Sequence, residues 1–102
     1  MNLVNLIGQI EGDAQIAYES KDGGKKLYKF TVKIPKSYRG KNGESINDYV
    51  NVKAWADNLD EEFGLFDQAI VGIEGKVHSF GNTDKQNFGN EIIATRVLYL
   101  NW

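Results

Sequence analysis

The stretch YVNVKAW, residues 49–55, splits into two faces when read in steps of two. Successive side chains of a strand point to opposite sides, so Val50, Val52 and Ala54 form one face and Tyr49, Asn51, Lys53 and Trp55 the other. The first is a core face. The second sets an amide and an ammonium between two large aromatics. Upstream, KKLYKFTVKIPK (25–36) puts Tyr28, Phe30, Val32 and Ile34 on its apolar side and turns Lys29, Thr31 and Lys33 outward. Lys36, Tyr38, Arg39 and Lys41 lie between the two stretches, and Phe80, Lys85 and Phe88 follow later. Binding a single nucleic-acid strand needs flat π surfaces for bases and cations that follow the phosphates. Each stacked base is worth about 1–3 kcal/mol, and each lysine–phosphate contact adds a salt-dependent, sequence-independent term. On residue type and spacing, Tyr38, Tyr49 and Trp55 are the stacking candidates, with Phe80 and Phe88 weaker ones. Lys29, Lys33, Lys36, Arg39 and Lys53 are the phosphate candidates, and Asn51 offers a polar edge.

The competing reading is packing. Tyr and Trp are common strand residues, and an outward Trp55 can lie under a loop or at a subunit contact. Three aromatics interleaved with lysines argue against that reading more than one would. Tyr18, Tyr28, Tyr99 and Trp102 are read as packing residues.

Catalytic machinery has no candidate. The lone histidine, His78, has no evident partner in the pattern. Asp60, Glu61 and Glu62 suit the first turn of a helix, where carboxylates complement the dipole. No phosphate-binding glycine loop, dinucleotide fingerprint or HExxH pair is present. No cofactor or metal is expected. The 102 residues contain no cysteine, which excludes disulfides and thiolate chemistry. The N-terminus has no basic leader followed by an apolar run, and no run of about 18 apolar residues exists. A cytoplasmic protein without a membrane partner is expected.

Net charge is −2, but its distribution is uneven. Residues 21–41 carry eight cations against Asp22, a net +7, and residues 42–75 carry eight carboxylates against Lys53, a net −7. A cationic stretch in an acidic chain is a better guide to an anionic partner than the total.

These groups must be positioned by strands. NLVNLIGQIE (2–11) alternates Val4, Leu6 and Ile10 against Leu3 and Ile7, so it is apolar on both sides, as for a strand covered by a second subunit. QIAYES (15–20) continues it past a bend at Gly12, and DGG (22–24) is a hairpin turn. The second strand spans about 25–36, with Pro35 marking its end or an edge position. Residues 37–47 read as a long basic loop, followed by the strand around 48–55. The period then changes: Asp57 as a cap and Leu59, Phe63 and Phe66 at i, i+4 and i+7 predict a short amphipathic helix over 57–66. Residues 69–80 form a fourth strand, 81–90 a second long loop, and 91–102 a fifth strand. The fold class is all-β with one short helix between strands 3 and 4, in a single domain spanning 1–102. A five-stranded, partly open OB barrel is favoured over an α+β sheet with a covering helix.

The same residues resemble a family, the bacterial single-stranded DNA-binding proteins. MNLVNLIGQIEGDAQIAY is similar to its opening strand, SYRGKNGE to its aromatic–basic loop, DYVNVKAWADNL to its third strand and helix start, and VGIEGKV to its fourth strand. The match is collinear over nearly the whole chain. It implies an OB fold and a homo-oligomer, a tetramer with a dimer as the alternative, that wraps single-stranded DNA without sequence preference. It carries stacking roles onto Tyr38, Tyr49 and Trp55, a fourth near Phe80, and a later loop aromatic onto Phe88. The chain departs from the pattern at DAQ (13–15), where the family has proline and glutamate, and at Tyr49–Val50, where it has tryptophan and histidine. The family's acidic tail has no counterpart before YLNW, so tail-mediated recruitment of replication partners is not expected. A short phage, plasmid or accessory form fits. Expected roles are protection of single-stranded DNA in replication, recombination or repair. The alternatives are a primosome-type accessory protein docking a helicase or primase, and an oligomerisation module without nucleic acid.

Overall fold

The computed structural model describes residues 1–101, with Thr83 described by its backbone alone. Five strands appear in order: β1 Val4–Glu19, β2 Lys26–Arg39, β3 Ser45–Trp55, β4 Ile70–Asn82 and β5 Asn87–Tyr99. They close into a barrel in the spatial order β1–β2–β3–β5–β4. This is the OB-type barrel expected from the pattern.

β1 makes closure possible because it serves two partners. Its first half pairs antiparallel with β4, from Val4 opposite Gly75 to Gln9 opposite Ile70. Its second half pairs with β2, from Gln9 opposite Lys33 to Glu19 opposite Lys26. The change of direction falls at Gly12, whose φ of 79° favours glycine, and the β1–β2 register is irregular from Glu11 to Gln15. A short parallel contact of β3 with β5, Val52 to Ala54 against Ile92 to Ala94, completes the ring.

The inward residues form one buried cluster, including Ile10, Phe30, Val32, Val52, Ala54, Val71, Ile73, Ile92 and Val97. Fully burying one such aliphatic side chain is worth about 1.5–3 kcal/mol. Phe30 and Val32 of β2 and Val52 of YVNVKAW are among them, with Tyr28, Ile34 and Val50 packed partly buried against the cluster, so the opposite face of β2 and β3 must point out of the barrel.

Three expectations need correction in detail. The segment expected as a helix carries two single 3-10 turns, Ala56–Asn58 and Glu62–Gly64. Its buried residues are Gly64 and Leu65, with Ala69 buried just beyond it, while Phe63 is 84% exposed. Leu59 bridges Val97, Ala14 N–H donates to the Leu65 carbonyl, and the Gly64 backbone sits against the Tyr99 ring. These tertiary contacts pull the segment flat over the barrel end and override its helical period. The two long loops are mostly strand. β2 runs past Pro35 to Arg39, with the register irregular between those residues, leaving only 40–44 as the loop. β5 begins at Asn87, so the tip beyond β4 holds one 3-10 turn, Thr83–Lys85. The resulting β2–β3 and β4–β5 ribbons project beyond the barrel. The radius of gyration of 14.9 Å exceeds the about 13 Å usual for a compact chain of this length. The packing role given to Trp102 lies outside the described residues.

Candidate nucleic-acid interface

The outward face of β2 and β3 is a ladder of cross-strand pairs. Leu27 lies opposite Trp55, Lys29 opposite Lys53, Thr31 opposite Asn51, and Lys33 opposite Tyr49. Two platforms therefore stand at the ends of a polar strip about three pairs long. Tyr49 is 60% exposed. Trp55 is half-buried and meets Tyr18 edge-on, with ring centroids 5.8 Å apart and planes at 79°. Tyr18 itself is exposed and belongs to this edge, a placement the sequence reading missed. A hollow of about 430 Å³ beside Trp55 is lined by Lys25, Lys26, Asp57 and Asn58 among others.

Within the strip, the Thr31 hydroxyl donates to the Asn51 amide oxygen at 3.3 Å, which leaves the Asn51 amide nitrogen to donate outward. The Lys29–Lys53 pair sets like charges directly opposite, a destabilising arrangement. Glu91 relieves it: its carboxylate is 3.2 Å from Lys53 Nζ and only 9% of the residue is exposed. Lys33 is 3.5 Å from Glu11 on the neighbouring β1. Lys36 is paired with Asp48, and that carboxylate holds the Lys36 ammonium above its ordinary pKa.

A groove of about 400 Å³ runs between this strip, the β1 bend and the β4–β5 ribbon, lined by Asp13, Gln15, Lys29, Asn51, Lys53, Phe80 and Glu91 among others. Phe80 forms its far wall. It sits opposite Gly89, where an added Cβ would stand 2.6 Å from the Phe80 ring carbon Cζ. The end of the ring thus occupies the space over a bare backbone, with 48% of the residue still exposed.

The structure does not bring every candidate onto this surface. Phe88 pairs with Gly81, one position along from the Phe80–Gly89 pair, so alternation puts it on the opposite face of that ribbon. Asp48 lies opposite Ile34, on the core-side parity, and its partner Lys36 shares that side. Tyr38 is exposed, with Lys36 Nζ 5.8 Å from its ring centroid. Lys36 and Tyr38 therefore extend the inner face of the ribbon, while Lys29, Lys33, Tyr49, Asn51, Lys53 and Trp55 share the outer one. Arg39 donates to the Ser45 hydroxyl at 3.2 Å near the ribbon tip. His78 is exposed. The Glu62 carboxylate accepts from the Tyr28 hydroxyl at 2.9 Å and raises its pKa. Burial, then Asp60, Glu61 and Glu62, raise that of Tyr99.

A second outward face, on β1, β4 and β5, is aliphatic. Ile7, 67% exposed, lies across from Gly72, which lies across from Leu98. The missing side chain at Gly72 leaves a hollow of about 550 Å³ bordered by Ile7, Leu98 and Leu100.

A closed OB barrel with an aromatic–cationic outer face defines the class of protein, and its relatives follow from comparison. No protein-family model matches the chain. It is 25% identical, over 98% of its length, to Single-stranded DNA-binding protein 2 of Listeria monocytogenes. It is 28% identical, over 97% of its length and 89% of the relative's, to Single-stranded DNA-binding protein B of Bacillus subtilis. The chain spans 64% of the Listeria relative and half of a Lactiplantibacillus plantarum single-stranded DNA-binding protein. Among solved structures, the dimeric N-terminal domain of PriB from Thermoanaerobacter tencongensis superimposes with a TM-score of 0.72 at 20% identity, covering 99% of this chain and 98% of that one. A Plasmodium falciparum SSB in complex with ssDNA gives 0.69 at 18% identity, covering 99% and 96%. The chain resembles the bacterial single-stranded DNA-binding proteins, as its motifs suggested, and these structures share its fold.

Proposed function

We propose that the chain, as one OB domain, binds single-stranded DNA without sequence preference. The observation that carries this is the β2–β3 outer face, where Tyr49 and Trp55 flank Lys29, Lys33, Asn51 and Lys53, with Phe80 across the groove. Bases stack on the rings, and the strand's phosphates follow the cations, with Lys36, Tyr38, Arg39 and Phe88 extending the path around the two ribbons. No reaction is assigned. The names of the curated relatives support this reading, and a cytoplasmic location is proposed with it; among the described residues no helix is long and apolar enough to cross a membrane. The test is titration of oligo(dT) while tryptophan emission is followed. Quenching at micromolar or lower protein is expected; unchanged emission up to high micromolar concentrations overturns it.

A second copy is the occupant assigned to the aliphatic face of Ile7, Leu98 and Leu100, which gives a homo-oligomer. Its order, tetramer or dimer, is read from solution mass with and without a long oligo(dT). A second reading, an accessory protein that also docks a replication enzyme, draws on the likeness to the PriB domain and on the exposed Phe63 among acidic residues 57–67. Nuclease-resistant capture of a helicase or primase from a replicating host distinguishes it.

A further inference from the structure

All three side-chain ion pairs among the described residues fall on candidate phosphate-binding lysines: Lys33 with Glu11, Lys36 with Asp48, and Lys53 with Glu91. The three carboxylates come from three different strands, β1, β3 and β5. Lys29, directly opposite Lys53, has no such partner among the described residues. Relief of the Lys29–Lys53 repulsion accounts for Glu91. It does not account for Glu11 or Asp48.

We propose that Glu11 and Glu91 on the outer β2–β3 face, and Asp48 beside Lys36 on the inner face of the ribbon, make the binding path specific for exposed bases over bare phosphate, by occupying the ammonium groups a phosphate would otherwise take. The proposal rests on the single-strand reading above. A phosphate approaching Lys33 or Lys53 meets a pair whose charge is already cancelled. It must either displace a carboxylate, leaving that group unpaired, or bind beside it against repulsion. In both cases the site gains little from releasing the counterions that normally drive polyanion binding. Stacking on Tyr49, Trp55 and Phe80 carries no such penalty. A polyanion without accessible bases is therefore rejected: inorganic polyphosphate has none, and a duplex keeps its bases paired inside. The overall charge of −2 acts in the same direction.

The test compares wild-type protein with Glu11→Gln, Asp48→Asn and Glu91→Gln, singly and together, binding oligo(dT) and inorganic polyphosphate across a salt series. Each freed lysine should steepen the slope of log K against log salt by about 0.7, the single-strand value per phosphate contact. The combined variant should change by about 2 and acquire polyphosphate binding that the wild type lacks. Glutamine at the buried position 91 can disturb the barrel, so Glu11→Gln with Asp48→Asn, both exposed, carries the test by itself with a change of about 1.4. Variants that still bind oligo(dT) with the wild-type slope, or that lose affinity, overturn the proposal and leave the function reading standing. A wild type that already binds polyphosphate as well as oligo(dT) also overturns it. A wild type that binds neither overturns the function reading, and this proposal with it.

Discussion

Two faces of one barrel point outward and differ in chemistry. The β2–β3 face offers planar rings at its ends with ammonium and amide groups between them. The β1–β4–β5 face offers Ile7, Leu98 and Leu100 around a glycine hollow, and its next row, Asn5, Glu74 and Arg96, is neutral overall. Both expose apolar surface, yet they suit different partners. A branched aliphatic surface is satisfied by another shaped aliphatic surface, which a second copy supplies. A flat ring flanked by cations is satisfied by a flat ligand that carries negative charge at intervals. The lesson is that the geometry and charge of exposed apolar groups indicate the partner better than their amount.

The sharpest break between the faces should come from Ile7→Glu. A carboxylate in the aliphatic hollow places an unpaired charge in any apolar contact made there. Solution mass is expected to fall to that of the 11.5 kDa monomer, while short oligo(dT), which needs only the other face, still quenches tryptophan. An unchanged mass would return Ile7 to the ordinary scatter of exposed aliphatics. Trp55→Ala is the converse: oligomer mass retained, and oligo(dT) affinity lowered by about 1–3 kcal/mol, or roughly 5- to 150-fold. If both properties fall together in either variant, the two faces are not independent.

The β2–β3 face was legible in the sequence because alternation needs only local information. The two-sided apolar character of β1 was legible for the same reason. What alternation cannot give is register between strands. Nothing in the local pattern marks Glu11 and Glu91; their pairing with Lys33 and Lys53 follows only from the register of β1 and β5 beside β2 and β3. Tyr18 could not be placed beside Trp55 without knowing how many residues the bend at Gly12 inserts. The helix failed for a different reason. Leu59, Phe63 and Phe66 have a helical period, but the barrel end buries Leu65 and Ala69 instead, and contacts to Val97 and Tyr99 outweigh a weak local preference. Pro35 and the glycines read as loop boundaries, although a ribbon tolerates a proline at an irregular pair.

Gly89→Ala asks how a ring becomes a platform. Phe80 lies over a bare backbone, and a methyl group there would meet the ring at 2.6 Å, so the ring must tilt off the groove wall. The expected loss of oligo(dT) affinity is several-fold, below the about 1 kcal/mol or more lost on removing a stacked ring. Phe80→Ala combined with Gly89→Ala should cost no more than Phe80→Ala alone, since the glycine acts only through the ring. Additive losses would show that Gly89 matters to the ribbon rather than to Phe80.

Lys29→Gln should produce the smallest change and the most specific one. Lys29 is exposed, makes no ion pair among the described residues and faces the groove. Removing it deletes a free charge without uncovering a carboxylate. At moderate salt the affinity should fall only slightly, but the slope of log K against log salt should flatten by about 0.7. Lys53→Gln should behave differently, because it leaves Glu91 buried without its cation. Its affinity loss should exceed that of Lys29→Gln, and part of the loss should persist at high salt, where phosphate contacts are already weakened. Neither substitution should alter solution mass, because both lysines lie on the β2–β3 face. Equal, purely salt-dependent losses at the two positions would mean that Lys53 meets phosphate as a free cation and that its pairing with Glu91 does not constrain binding.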